Sequence, residues 1–376
     1  MEKKKVIIIG AGPAGLTAAW ELLKEPERFE VMILEESQEI GGISRTVKYE
    51  GKRMDIGGHR FFTKVDRVRN LWTEIMPLQG KPSKDDAKLG REKKLMENGP
   101  DPEKEDNVLL IRNRVSRIYY LKKFFDYPVT LKKETFINMG FTKTVKSGVS
   151  YIKSAIWKRK EESLEDFYVN RFGKQLYSMF FEGYTEKLWG RHPSEIAADW
   201  GAQRVKGLSI TAVIKDMFTK ALGKKNKQVE TSLIEEFWYP KLGPGQLWET
   251  LAKKIQEKGG IILKGHRVTK IHLGENKIEA VSCKVGEESK TFTGDIFLSS
   301  MPIKDLVLNM QDKVVPENIK HIAEGLPYRD FITVGLLLSK LNLENKTNIK
   351  TLGNIVPDCW IYIQDTGVRL RAFANI

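Results

Sequence analysis

Gly10, Gly12 and Gly15 follow the apolar run Val6-Ile7-Ile8-Ile9 with the spacing Gly-x-Gly-x-x-Gly. Glu35 stands twenty residues beyond Gly15, at the end of a second apolar run, Val31-Met32-Ile33-Leu34. Strand, glycine turn, helix, strand and acid in that order make a dinucleotide clamp. Gly10 ends the strand, Gly12 lets backbone approach a pyrophosphate, and Gly15 allows the helix to pack closely on the strand. The helix N-terminus adds amide donors and a partial positive charge. Glu35 sits where a carboxylate accepts hydrogen bonds from an adenosine ribose. The bland alternative is an ordinary strand-to-helix turn, and the complete ordered context argues against it.

The chain continues past the acid as Glu36-Ser37-Gln38-Glu39-Ile40-Gly41-Gly42-Ile43-Ser44-Arg45-Thr46. Glycines here let the chain pass a bulky ligand, and Arg45 can offer a charge-assisted fork to phosphate, although arginines are mostly solvated. Further on stand Asp55-Ile56-Gly57-Gly58-His59-Arg60-Phe61-Phe62 and Phe181-Glu182-Gly183-Tyr184-Thr185-Glu186-Lys187-Leu188-Trp189-Gly190. Leu326-Pro327-Tyr328-Arg329-Asp330-Phe331 and the turn Pro240-Lys241-Leu242-Gly243-Pro244-Gly245 complete the set.

These segments together resemble the flavin amine oxidase superfamily, nearest to its UDP-galactopyranose mutase-like and protoporphyrinogen-oxidase-like branches. The resemblance implies a glutathione-reductase-like Rossmann domain that binds FAD, with Glu35 on the ribose and Gly41, Gly42 and Arg45 along the pyrophosphate and flavin. It places His59, in its Gly57-Gly58-His59 turn, against the flavin, where imidazole can donate to or accept from a ring edge. Tyr184 and Trp189 become candidate pocket residues, with burial in a helical core as their alternative. Arg204 and Arg329 become candidates for gripping a diphosphate, so His59, Arg204 and Arg329 form the candidate catalytic set. Residues 202–208 depart from the mutase pattern around Arg204, and Arg329 could equally hold a structural carboxylate. Val268, in His266-Arg267-Val268-Thr269-Lys270-Ile271, would contact FAD through its backbone, or be an ordinary sheet valine.

For the mutase branch the resemblance implies that reduced flavin attacks the anomeric carbon of a UDP-sugar through N5, UDP leaves, and the ring opens and recloses before UDP returns. NAD(P)H would be the external reductant, and the product would feed cell-surface polysaccharide. The amine oxidase, protoporphyrinogen oxidase and desaturase kinds imply hydride transfer to oxidised flavin instead. Rab escort and dissociation-inhibitor proteins share the fold as non-catalytic binders, and the intact clamp with Glu35 weighs against that third reading.

The elements that must position these residues read as an α/β chain, a Rossmann domain interrupted by a mainly helical substrate domain. The first part of the FAD-binding domain covers 1–78, and 79–106 is a run of Lys, Glu, Asp, Gly and Pro expected as a mobile surface excursion. A substrate or cap domain follows over 107–237, largely helical after 132. Short apolar runs and the stop Gly259-Gly260 return the chain to the first domain over 238–300, and 301–376 reads as a substrate-side sheet segment. The superfamily normally has a late Gly-Asp segment that is not found here, so the sequence is expected to be part of a longer chain.

The 376 residues are 41% hydrophobic and 30% charged, ordinary for a soluble globular protein. Cys283 and Cys359 stand far apart without a Cys/His cluster, which gives neither a disulfide framework nor a metal signature, and a cytoplasmic setting fits. The net charge of +14 is scattered rather than gathered into a nucleic-acid module, and suits anionic cofactor and substrate, here a small molecule such as a nucleotide sugar. Between Lys143 and Lys160, Val145, Val149, Ile152, Ile156 and Trp157 recur mostly at intervals of three and four among lysines. That pattern is read first as a core-packing helix with a solvated basic side, with peripheral membrane contact as the alternative.

Overall fold

A computed structural model of the chain describes residues 2–127, 133–204, 236–310, 315–328, 330–365, 367, 368, 370, 372 and 373. Two compact units emerge, Met1–Arg112 with Trp238–Lys340, and Asn113–Phe237 with Leu341–Ile376. Residues 301–340 therefore group with the glycine clamp, whereas the sequence reading put all of 301–376 on the substrate side.

In the first unit, Val6 to Ile9 is apolar at every position because both faces of its strand are covered. A parallel sheet runs in the order Ile296–Ser299, Lys4–Ile9, Phe29–Leu34, Ile261–Leu263. Side chains alternate between its faces. Val6 and Ile8 pack with Leu16, Ala19, Leu247, Leu251 and Ile255, carried by helices Pro13–Leu22 and Pro244–Glu257. Ile7 and Ile9 pack with Val268, Ile271, Val281 and Cys283 of an antiparallel sheet made by Arg267–Leu273, Ile278–Val285 and Glu288–Thr293. Each such burial contributes on the order of 1.5–3 kcal/mol. Burial also pushes the Cys283 thiol up to about 11, away from thiolate chemistry.

The charged segment 79–106 is pinned rather than loose. It holds the short helix Lys84–Leu89, ended by Gly90 in the left-handed region. Lys93 and Asp86 form an ion pair at 2.6 Å with side chains only 4% and 1% exposed, and Arg112 reaches Asp85 at 3.2 Å. The buried Gln79 side chain donates to the Lys81 carbonyl and accepts from the Ile111 amide, each at 2.8 Å. Composition alone reports the polar residues, not that they satisfy one another inside.

In the second unit, a mixed sheet runs Ala372–Phe373, Trp360–Ile363, Ser116–Tyr120, Lys123–Asp126. Arg117 and the fully buried Asp358 pair within it. Its longer helices are Phe141–Ile156 and Leu164–Tyr177. Ser163 starts the latter with a capping box, its hydroxyl accepting from the Asp166 amide while Asp166 accepts from the Ser163 amide. The sequence reading expects the apolar face of Phe141–Ile156 to pack inward, and the structure corrects this. Ser147 and Ser154 are the buried positions, while Val145, Val149, Ile152, Ile156 and Trp157 are exposed. Periodicity defines a face but not which way it turns.

Candidate functional site

The clamp closes through backbone. The Gly10 amide donates to the Leu34 carbonyl at 2.8 Å, and the Gly41 amide donates to the Ala11 carbonyl at 3.0 Å. The Glu35 carboxylate accepts from the Ala11 amide at 2.7 Å and from the Ser37 amide at 2.9 Å. Those bonds fix the acid beside the glycine turn and leave it lone pairs for a further donor. Gly15 is forced, since a Cβ there would lie 2.0 Å from the Gly10 carbonyl oxygen. Gly42, at φ +55, faces Gly12, and a Cβ on it would come 3.3 Å from the Gly12 Cα. Two turns thus meet without side chains between them. Arg45 stands beside them, with Nε 2.9 Å from Glu39 and Nη1 donating to the Gly42 carbonyl at 3.4 Å.

Next to Arg45, Thr46 opens the hairpin Thr46–Tyr49/Lys52–Asp55 and begins a polar network that sequence reasoning did not assign. The Thr46 hydroxyl donates to Asp55 at 2.8 Å and accepts from the Gly245 amide at 3.0 Å. The Tyr239 hydroxyl also donates to Asp55. Burial pushes the Asp55 carboxyl above its ordinary value despite these two donors, and burial beside Asp55 pushes the Tyr239 hydroxyl up as well. The signal available in sequence was the Asp55 of Asp-x-Gly-Gly-His and the glycine turn at 243–245. Their meeting spans nearly 200 residues, which no local pattern reports.

From Asp55 the chain turns through Gly57 and Gly58 to His59, whose amide donates to the Gly57 carbonyl at 3.1 Å. Phe61 anchors the far side of the turn by stacking on Trp72 with planes 7° apart and by bridging to Trp238. The buried His59 Nε2 has no hydrogen-bond partner among the described residues. A buried ring nitrogen left open is costly unless something else fills the role.

The family model for flavin containing amine oxidoreductases matches residues 13–362. The chain belongs to the flavin containing amine oxidoreductase family. Among its relatives, a Klebsiella pneumoniae protein described as "Probable UDP-galactopyranose mutase" is 26% identical over 210 residues, covering 53% of this chain and 44% of that protein. The mitochondrial protoporphyrinogen oxidase of Nicotiana tabacum is 22% identical, covering 94% of this chain and 68% of that one. In fold, the chain is similar to a crystal structure of reduced UDP-galactopyranose mutase, with a TM-score of 0.69 at 16% identity, over 97% of this chain and 67% of the other. The match to the Klebsiella protein thus spans under half of that protein's length.

Family membership carries a flavin cofactor, and the residues of the first unit fit one. The facing Gly12 and Gly42 leave a cradle that side chains would fill, and the orphaned His59 Nε2 offers a ring nitrogen to a bound group. Gly10, Gly12, Gly15, Glu35, Gly41, Gly42 and Arg45 come together, joined to Gly57, Gly58 and His59 through Thr46 and Asp55. Val268 is buried opposite Cys283, beside a break in register between Val268 and Lys270. A cleft of about 380 Å³ flanks Arg45, lined by Lys48, Lys253 and Lys264 among others, but none of Gly10, Gly12 or Gly15 lines it.

The pocket candidates Tyr184 and Trp189 lie in the second unit. Tyr184 meets Tyr362 edge to face at 5.6 Å, and Trp189 meets Trp200 likewise at 5.0 Å. Tyr362 also packs with Tyr127 at 4.4 Å and with Trp360 at 6.1 Å, so Tyr184 belongs to an aromatic cluster rather than a uniform helical core. Arg329 and the Arg204 side chain lie outside the described residues. Glu165, Glu182 and His192 converge as metal ligands would, yet the Lys174 ammonium lies 2.9 Å from Glu165 and 3.4 Å from Glu182, neutralising the pair.

Proposed function

We propose that the protein binds FAD and isomerises a nucleotide sugar in the manner of a UDP-galactopyranose mutase. The observation that carries this reading is the buried, unpartnered His59 Nε2 on a Gly-Gly turn, in the same unit as the clamp. Glu35 holds the adenosine ribose, Gly12 and Gly42 admit the diphosphate to the backbone, Arg45 neutralises it, and Val268 contributes backbone on the adenine side. His59 offers Nε2 to the flavin edge. Tyr184 and Trp189 give aromatic faces to the sugar nucleotide, and Arg204 and Arg329 neutralise its diphosphate so that it departs and returns without a proton. When bound and reduced, the flavin supplies an electron pair, with NAD(P)H as the reductant.

The 94% coverage of the chain by its match to the tobacco protoporphyrinogen oxidase favours a second reading, an FAD oxidoreductase taking hydride from its substrate. Anaerobic reduction of the FAD-loaded protein, incubation with UDP-galactopyranose and separation of products distinguish the two. UDP-galactofuranose supports the mutase. Its absence from a protein that binds FAD and UDP overturns it, and a protein that takes up no flavin overturns both.

A further inference from the structure

The helix Phe141–Ile156 turns its apolar residues to solvent and two serines, Ser147 and Ser154, to the protein, the reverse of ordinary burial. Phe141, Val145, Val149, Ile152 and Ile156 recur at intervals of four, four, three and four, with exposures from 47% to 85%, and Trp157 follows at 68%. This is no packing accident. On the opposite face Ser147 and Ser154 are buried, and the backbone at Tyr151 approaches Gly173 so closely that a Cβ on Gly173 would lie 2.8 Å from the Tyr151 amide nitrogen. The close approach fixes the rotation of the helix, so the stripe stays outward. A contiguous apolar stripe of this kind marks an interaction surface.

Charge identifies the partner. From Phe141 to Lys160 the sequence holds six cationic residues and no acid. Arg159 and Lys160 are engaged by Glu165, Asp166 and Glu162, and of the other four cations Lys146 and Lys153 rim the stripe. Lys146 and Lys153 stand about 90° around the helix from the centre of the stripe, at roughly 100° per residue. A second copy of the chain would bring this rim against itself in a two-fold contact. At about 24 Å the helix is also too short to cross a bilayer core of about 30 Å. An anionic lipid surface suits every feature: the stripe enters the acyl boundary, Trp157 lies at headgroup depth, and the lysine stems reach back to the headgroups.

We infer that the face formed by Phe141–Ile156 and Trp157 seats the protein on the surface of an anionic bilayer, lying in its plane. Flotation of the whole chain with phosphatidylcholine vesicles, with and without phosphatidylglycerol, tests this without reading any turnover. The chain floats with the anionic vesicles, and added salt weakens the association. Ile152→Ser with Ile156→Ser lowers the partition by more than about tenfold, and Lys146→Gln with Lys153→Gln lowers it severalfold. All four side chains are solvent-facing, so thermal unfolding of both variants matches the parent. Equal flotation with neutral vesicles, none with anionic ones, or unchanged flotation of the isoleucine variant overturns the inference. So does a dimer in solution that the isoleucine variant turns into a monomer, which would assign the face to a second copy.

Discussion

Gly12→Ala separates a glycine kept for a ligand from one kept for the fold. Gly12 has φ −79° and ψ −179°, a conformation open to any residue, and a Cβ there would meet the Gly42 Cα at 3.8 Å, an ordinary contact. In the protein without cofactor the methyl group costs little. The poorer helix cap and the smaller unfolded-state entropy each amount to no more than about 1 kcal/mol and act in opposite directions. With a dinucleotide bound, the methyl group holds the diphosphate off the turn. Each charge-assisted hydrogen bond lost is worth about 1.5–3 kcal/mol, so FAD affinity falls between about tenfold and 150-fold per bond. Calorimetric titration with FAD measures the affinity, and urea unfolding of the cofactor-free protein measures the fold. Unchanged FAD affinity refutes the idea that a ligand passes over Gly12. A loss of cofactor-free stability beyond about 2 kcal/mol refutes the idea that the space above it is open.

Gly15→Ala behaves in the opposite way, because its Cβ would strike the Gly10 carbonyl oxygen at 2.0 Å, and it destabilises the cofactor-free protein by about 1–3 kcal/mol in the same urea assay. Arg117→Ala leaves the Asp358 carboxylate without its partner, in an ion pair whose side chains are 14% and 0% exposed, and costs about 3–5 kcal/mol by urea unfolding. Asp55→Asn reports on burial. Because the folded-state value of Asp55 is raised above 3.8, the folded protein holds that proton more tightly than the unfolded one. Its stabilising contribution is complete below pH 3.8 and lost as pH rises through the folded-state value. The parent therefore gains on Asp55→Asn as pH is lowered into that window, and parallel stability curves for the two proteins would contradict the raised value.

The clamp was legible because each of its constraints is local. Gly10, Gly12, Gly15 and Glu35 lie within one strand-helix-strand unit, and the continuous apolar run Val6 to Ile9 announces a strand covered on both faces. The network at Asp55 was not legible, since Tyr239 and Gly245 reach it from a distant part of the chain. The charged run 79–106 misled for a related reason: composition shows that Lys93 and Asp86 are polar, while only the fold shows that they bury each other. Helix Phe141–Ile156 was read with the correct period and the wrong orientation, because a serine face held by close backbone contact outweighed the apolar stripe.

The strand Lys4–Ile9 lies between Phe29–Leu34 and Ile296–Ser299. One of its edges is covered by a strand that follows within about 25 residues, while the other stays open until synthesis has passed residue 299. At about 5–20 residues per second that wait lasts roughly 15–60 s. Throughout it, an apolar strand with free amides and carbonyls is a template for pairing with other chains. Recovery of folded protein therefore depends on what shields this strand during translation, a hazard that the stability of the finished sheet does not report.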